Sequence, residues 1–315
     1  MTTLPHRPLG ASGLEVSVFA LGSWRTYERI SRDEGTAVLE QARASGIDFL
    51  EVARYNDTTG TAPIPTGWSE VVFGEVFRRS GWPRDEVTIA GKLWWEFWPE
   101  QDAAQEVDAS LGRTELDHFD FLYSDPPPDA LPLEDVVAAM GGLIADGKAR
   151  AWGIVNWQPD RVAEAGRIAH AQGVAPPVAA QLPYNLAMRD WVEGDEMTRA
   201  LELCGASVVA SWTLVGGILS GKYLDGSATG RMTDELDDPR FERALRAAPA
   251  LRDLARELDV PPATLAMAFA LANPNVATIL FGATRPEQIV ENLKTLEVVD
   301  ALTDDQLARL RAIEG

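Results

Sequence analysis

The chain has 315 residues, 46% hydrophobic and 24% charged, a balance that supplies a sizeable core and argues against disorder. Acidic residues outnumber basic ones 48 to 28, a formal charge of -20, which excludes the basic footprint that a nucleic-acid or anionic-membrane binder needs. A single cysteine, Cys204, excludes an intramolecular disulfide; with no secretory pattern at the start and no apolar run of about 18 residues, the expected location is cytoplasmic.

In chain order, the opening HRPLGASGLEVS reads as two short strands around a glycine turn, a hairpin suited to closing the floor of a barrel. From there, β-rich apolar runs alternate with longer amphipathic ones, the rhythm of strand-helix units around a parallel sheet. Strands are expected at 18–22 (VFALG), 48–53 (DFLEVA), 87–93 (VTIAGKL), 118–124 (HFDFLYS), 151–156 (AWGIVN), 178–184 (VAAQLPY), 207–213 (SVVASWT) and 277–283 (ATILFGA). Segments between them, such as DEGTAVLEQARASG, SEVVFGEVFRRSG, EDVVAAMGGLIADG and PEQIVENLKTLEVV, have helical periodicity, and several stop at glycine. Eight such units predict an α/β fold, a (β/α)8 TIM barrel formed by residues 1–315 as one domain. One extra helix is expected after the seventh strand, where FERALRAAPALRDLARELD and ATLAMAFALAN both fall, and a last helix, DDQLARLRAI, closes the chain. A doubly wound sheet competes, but the first turn, ALGSWRTYE, lacks the G-x-G-x-x-G spacing of a Rossmann site.

Chemistry in such a barrel sits at the C-terminal ends of the strands. Those ends are Gly22-Ser23-Trp24, Glu51 to Asn56, Lys92, Ser124-Asp125, Val155-Asn156-Trp157, Gln181 to Asn185, Ser211 to Leu214 and Gly282 to Arg285. An ammonium ending an apolar strand is costly to bury unless it meets a carboxylate or performs chemistry, and Glu51 on the neighbouring strand is the natural partner of Lys92. Tyr55, close behind Glu51, becomes a usable proton donor if Lys92 lies beside it and lowers its phenol pKa. The structural alternative is an ion pair with a packed tyrosine.

The segments GIDFLEVARY, GWSEVVFGEVF, TIAGKLW, LDHFDFLYSDPP, GKARAWGIVNW, AAQLPYN, SWTLVGGILSGKY and ILFGATRPEQIVENL resemble, in that order, the aldo-keto reductase superfamily. The resemblance runs from residue 7 to about residue 298, and the stretch Trp212–Tyr223 is similar to the potassium-channel β-subunit branch. It implies NADP(H) bound without a Rossmann fold, hydride transfer to a carbonyl, and a tetrad of Asp, Tyr, Lys and His. Lys92 matches the lysine, and Glu51 stands for the aspartate. Family spacing puts the tyrosine at Asn56, so Tyr55 serves only if the loop is one residue shorter; Asp125 stands where the histidine is expected. An ionised carboxylate opposes the oxyanion that an imidazole stabilises, so Asp125 has to be protonated, paired with Lys92, turned elsewhere or used as a base. Its structural alternative is a turn aspartate ahead of Pro126-Pro127-Pro128. His6, His118 and His170 lie away from the strand ends, which leaves no Ser/His triad and no histidine metal site.

Thr284-Arg285-Pro286-Glu287 reads as a capping box opening the last barrel helix after Gly282, and a helix N-terminus with Arg285 suits a phosphate. By the resemblance, this segment holds the adenosine 2′-phosphate, with Gln288, Glu291 and Asn292 near the adenine. Asn156 and Gln181 match carboxamide-holding positions, and Leu214 and Lys222 line the pyrophosphate. Gly22, Ser23, Trp24, Ser211, Trp212 and Gly216 complete the expected cofactor groove, with Arg231 as a further phosphate candidate. Trp24, Trp94, Trp95, Trp98, Trp157 and Trp212 all fall at or just after strand ends, a rim suited to a sugar-like or aromatic molecule, with loop packing expected for at least half of them. Asn56, Trp94, Trp95 and Trp157 are the expected substrate contacts.

The expected function is an NADPH-dependent oxidoreductase moving a hydride between nicotinamide and a carbonyl or alcohol substrate. Glu51, Tyr55, Lys92 and Asp125 are its expected catalytic residues, with no metal, no nucleic acid and no membrane involved. Two alternatives stay open: redirected lyase, epimerase or oxidation chemistry with Asp125 as base, and a non-catalytic NADPH-binding partner protein. Oligomeric state is open too.

Overall fold

A computed structural model describes residues 4–57, 60–224 and 235–313. At the start, β1 (His6–Pro8) and β2 (Glu15–Ser17) pair antiparallel, His6 opposite Ser17, as the expected floor hairpin. The barrel strands follow: β3 (Phe19–Gly22), β4 (Phe49–Glu51), β5 (Thr88–Leu93), β6 (Phe121–Ser124), β7 (Ala151–Val155), β8 (Ala179–Pro183), β9 (Ser207–Ser211) and β10 (Val276–Phe281). Each pairs in parallel with its sequence neighbours, and β10 closes onto β3. The fold is therefore the expected TIM barrel. Most strands end before the apolar runs that announced them, because the last residues of each run leave the ladder to form the rim.

Alternation along the strands sorts two cores. Inside the barrel, Ala20, Ala90, Ala151, Ala179 and Ala277 leave room for Phe49, Phe121 and Tyr123, while Leu9 and Val16 from the hairpin region plug the bottom. The opposite strand faces carry Leu50, Ile89, Leu122, Ile154, Val208 and Ile279 against the helices. Those helices are α1 (Arg32–Ala44), α2 (Trp68–Ser80), α3 (Ala103–Thr114), α4 (Leu133–Ala145), α5 (Pro159–Gln172), the short α6 (Asp190–Glu193) and α7 (Asp195–Cys204). After β9 come α8 (Glu242–Glu257) and α9 (Pro262–Leu271), one more helix than the barrel needs; α10 (Pro286–Leu293), α11 (Thr295–Ala301) and α12 (Asp304–Arg311) follow β10. Local chemistry sets their ends: Ser31 and Glu34 form a reciprocal box at α1, and α5 stops on Gly173 at φ 71°.

Two details depart from the sequence reading. PEQIVENLKTLEVV is two helices rather than one, because Lys294 N closes onto Glu291 O in a tight turn before α11 begins. The capping box is also shifted by one residue: Arg285 is the N-cap, and Gln288 Oε1 accepts from Thr284 N at 2.8 Å and Arg285 N at 3.2 Å. Thr284 and Glu287 are not its two halves. Among the described residues, no helix is long and apolar enough to cross a membrane.

Candidate active site

At the C-terminal end of the barrel lies a cleft of about 550 Å3. Its wall brings together Gly22, Trp24, Glu51, Tyr55, Lys92, Trp94, Asp125, Asn156, Gln181, Ser211, Trp212, Leu214, Gly216, Lys222, Gly282, Gln288 and Asn292. The backbone is built for this face. Of the seven non-glycine residues with left-handed φ among the described residues, five lie here: Arg25 at 50°, Trp95 at 59°, Asn156 at 55°, Trp212 at 55° and Val215 at 48°. Such conformations are costly, and concentrated at strand ends they redirect the chain from the ladder into the cleft wall.

One end of the cleft is a network of charges. Lys92 Nζ lies 2.5 Å from Glu51 Oε1, with the lysine side chain 11% and the carboxylate 2% exposed. Burial alone would pull the ammonium's pKa down; the charges of Glu51 and Asp125 more than reverse this and hold Lys92 above its ordinary value, firmly charged. Asp125 follows β6, its N–H donating to Leu93 O at 2.9 Å. Its carboxylate forms no ion pair or hydrogen bond among the described residues and faces the cleft. Burial raises its pKa to about 6, Lys92 working against the shift and Glu51 and Glu106 adding to it.

Tyr55 departs from expectation. Its ring is in the wall, but its hydroxyl donates to Glu28 and accepts from Arg25 N at 2.9 Å. Burial, then the Glu28 hydrogen bond and charge, raise the phenol's pKa rather than lowering it. Lys92 has already spent its charge on Glu51. Asn56, the other candidate, is exposed, bridges Thr66 and lies outside the wall. The Tyr55 hydroxyl is therefore held by Glu28 and Arg25 rather than by Lys92.

Sequence reasoning missed Arg54, which lies in the wall at 2% exposure. Its guanidinium donates to Glu96 Oε2 at 2.8 Å and to Glu106, whose Oε1 also accepts from Trp94 N at 2.6 Å. The rule applied to Lys92, a cation within an apolar strand end, would have found it. Ala53, Val155, Thr213, Gly217, Leu280 and Phe281 complete the wall.

The other end suits a dinucleotide. Gln181 is 6% exposed, and its Oε1 has no partner among the described residues; beside it, Asn156 N donates to Gln181 O at 3.1 Å. A buried amide oxygen facing a cleft fits the donor of a primary carboxamide. Trp212 stacks on Phe241 at 6.0 Å and leans on Trp24 at 5.9 Å, a flat face for an aromatic ring. Gly217 sits at φ 96°, a conformation that favours glycine, and a Cβ there would lie 2.7 Å from Lys222 Cε and push that side chain aside. Neither Lys222 nor Arg285 forms an ion pair among the described residues; both are exposed, Arg285 as the N-cap of α10.

The remaining expected residues lie elsewhere. Ser23 is buried, accepting from Ala53 N at 2.7 Å and so tying the end of β3 to the exit of β4. Thr284, Arg285 and Glu291 are outside the wall. Trp95 is buried and donates to Ser124 Oγ, Trp157 is buried against Trp152, and Trp98 packs on the core, so half of the six tryptophans serve packing. Trp95 and Trp157 are thus not placed for substrate contact. Arg231 lies outside the described residues. No cluster of His, Cys, Asp and Glu suited to a metal occurs among the described residues.

The model of the Aldo/keto reductase family matches residues 19–314. A protein of Schizosaccharomyces pombe is 32% identical over 98% of this chain and 93% of its own length, and one of Oryza sativa subsp. japonica is 30% identical over 98% and 96%. Both carry the provisional name voltage-gated potassium channel subunit beta.

Proposed function

Because this chain belongs to the aldo/keto reductase family, a family of nicotinamide-dependent oxidoreductases, we propose that it is a cytoplasmic NADP(H)-dependent enzyme in which Asp125 handles the substrate proton. Its substrates are small carbonyl or alcohol compounds. Gln181 and Asn156 hold the carboxamide, Trp212 and Trp24 flank the ring, and Leu214, Gly216 and Lys222 line the pyrophosphate. The start of α10, with Arg285, takes the 2′-phosphate, and Gln288, Glu291 and Asn292 surround the adenine. The nicotinamide, when bound, supplies or accepts the hydride at the substrate carbon. Ionised Asp125 accepts the hydroxyl proton during alcohol oxidation; protonated Asp125 returns it to the oxygen during carbonyl reduction. Lys92, charged and fixed by Glu51, offsets the negative charge that develops on that oxygen.

One observation supports this above the others: the cleft's unpaired carboxylate, with its pKa at about 6, faces the reaction space beside Lys92, while the Tyr55 hydroxyl is held by Glu28. Asp125→Asn is expected to lower turnover by about 1,000-fold with NADPH affinity retained, whereas Tyr55→Phe leaves turnover nearly unchanged. The reverse pattern would return proton transfer to Tyr55. The channel-subunit names of the relatives favour a second reading, a cofactor-loaded partner protein. Tight NADPH binding with no turnover on any carbonyl or alcohol would select it.

A further inference from the structure

Among the described residues Arg54 is the one guanidinium in the cleft wall, a planar fork of the kind that elsewhere grips a carboxylate in two-pronged fashion. Here the fork is already closed. Nη2 binds Glu96 Oε2 at 2.8 Å and Nη1 binds Glu106, with the arginine side chain 1% exposed. The two glutamates are themselves fixed: Thr66 Oγ1 donates to Glu96 at 2.9 Å, and Trp94 N donates to Glu106 at 2.6 Å. Arg54 with two glutamates leaves one uncompensated negative charge, Lys92 with Glu51 leaves none, and ionised Asp125 adds another. The residues that face the substrate are Asp125 and the rings of Trp24 and Trp94. Both cations at this end, Lys92 and Arg54, are already matched to glutamates.

We infer that the substrate end of the cleft selects uncharged hydroxy and keto compounds and rejects acidic ones, with Glu96 and Glu106 disarming Arg54 as an anion receptor. This rests on the oxidoreductase reading for the identity of the site. In a cleft that partly excludes water, a substrate carboxylate meets net like charge because both nearby cations are already matched to glutamates, and discrimination by repulsion is the result. Glu96, the more exposed of the two glutamates at 19%, is the removable half of the lock; Glu106, at 1%, is buried under Trp94.

The test is calorimetric titration of the NADP+-loaded protein, in which an aldehyde cannot be reduced, with 4-formylbenzamide, which carries no alcohol to oxidise, and 4-carboxybenzaldehyde. The neutral aldehyde is expected to bind about tenfold or more tightly than the acid. In Glu96→Gln, which frees one arm of Arg54, the gap between the two narrows by about tenfold. The wild-type ranking needs no variant to fold, and raising the salt concentration narrows it as well. Repeating the titration without cofactor separates the two claims: a protein that does not bind NADP+ fails as an oxidoreductase yet still ranks the aldehydes. Equal affinity, preference for the acid, or binding of neither aldehyde overturns the inference.

Discussion

The two ends of the cleft are built by opposite means. The end proposed to take the phosphates has a glycine-bearing loop, the opening of α10 and two cations, Lys222 and Arg285, that form no ion pair among the described residues. The proton end has cations too, but Lys92 and Arg54 are both consumed by glutamates, and the group left facing the cleft is an acid, Asp125. On the proposed reading, a chain of charge -20 holds a phosphate-rich ligand at one end while presenting a negative surface at the other. In that reading, the first end is arranged to bind and the second to move a proton.

Substitutions should separate these roles by size and by readout. The largest stability effect is expected at the proton end. Lys92→Met strands Glu51, which is 2% exposed, and should cost about 3 kcal/mol in chemical denaturation; adding Glu51→Gln should recover most of it. Failure of the double variant to recover would mean that the pair is held by more than its charge. A smaller and purely ligand-linked effect is expected at the other end. Arg285→Ala should reduce the preference for NADPH over NADH by about tenfold, measured as a ratio of dissociation constants, with thermal stability unchanged. An unaltered ratio would remove Arg285 from the phosphate site and blur the contrast between the ends.

What could be read in advance follows the same division. The barrel was legible because period-two apolar runs, glycine helix stops and the floor hairpin are all local signals, and the strands lie where those runs lie. The loop after β9 and the start of α10 were legible for the same reason, although the backbone of Arg285 at φ -143° moved the cap by one residue. The proton end was not, because its chemistry is decided by partners distant in sequence. Tyr55 is turned by Glu28, 27 positions earlier, and Arg54 is closed by Glu106, 52 positions later on α3. No spacing rule reports which way a phenol at a strand end will point. The tryptophans divide similarly: Trp24, Trp94 and Trp212 face the cleft, whereas Trp95 and Trp157 found space in the core.

The central claim is that a carboxylate has taken over the proton, and the pH dependence of kcat/KM at saturating cofactor tests it most directly. Burial raises the pKa of Asp125 to about 6, and oxidation needs the ionised form while reduction needs the protonated one. Alcohol oxidation should therefore rise with pH through about 6 to a plateau, and carbonyl reduction should be flat below that point and fall above it. Both inflections should vanish in Asp125→Asn. An inflection in the alkaline range, retained in Asp125→Asn and abolished by Tyr55→Phe, would contradict the account and return the proton to the phenol.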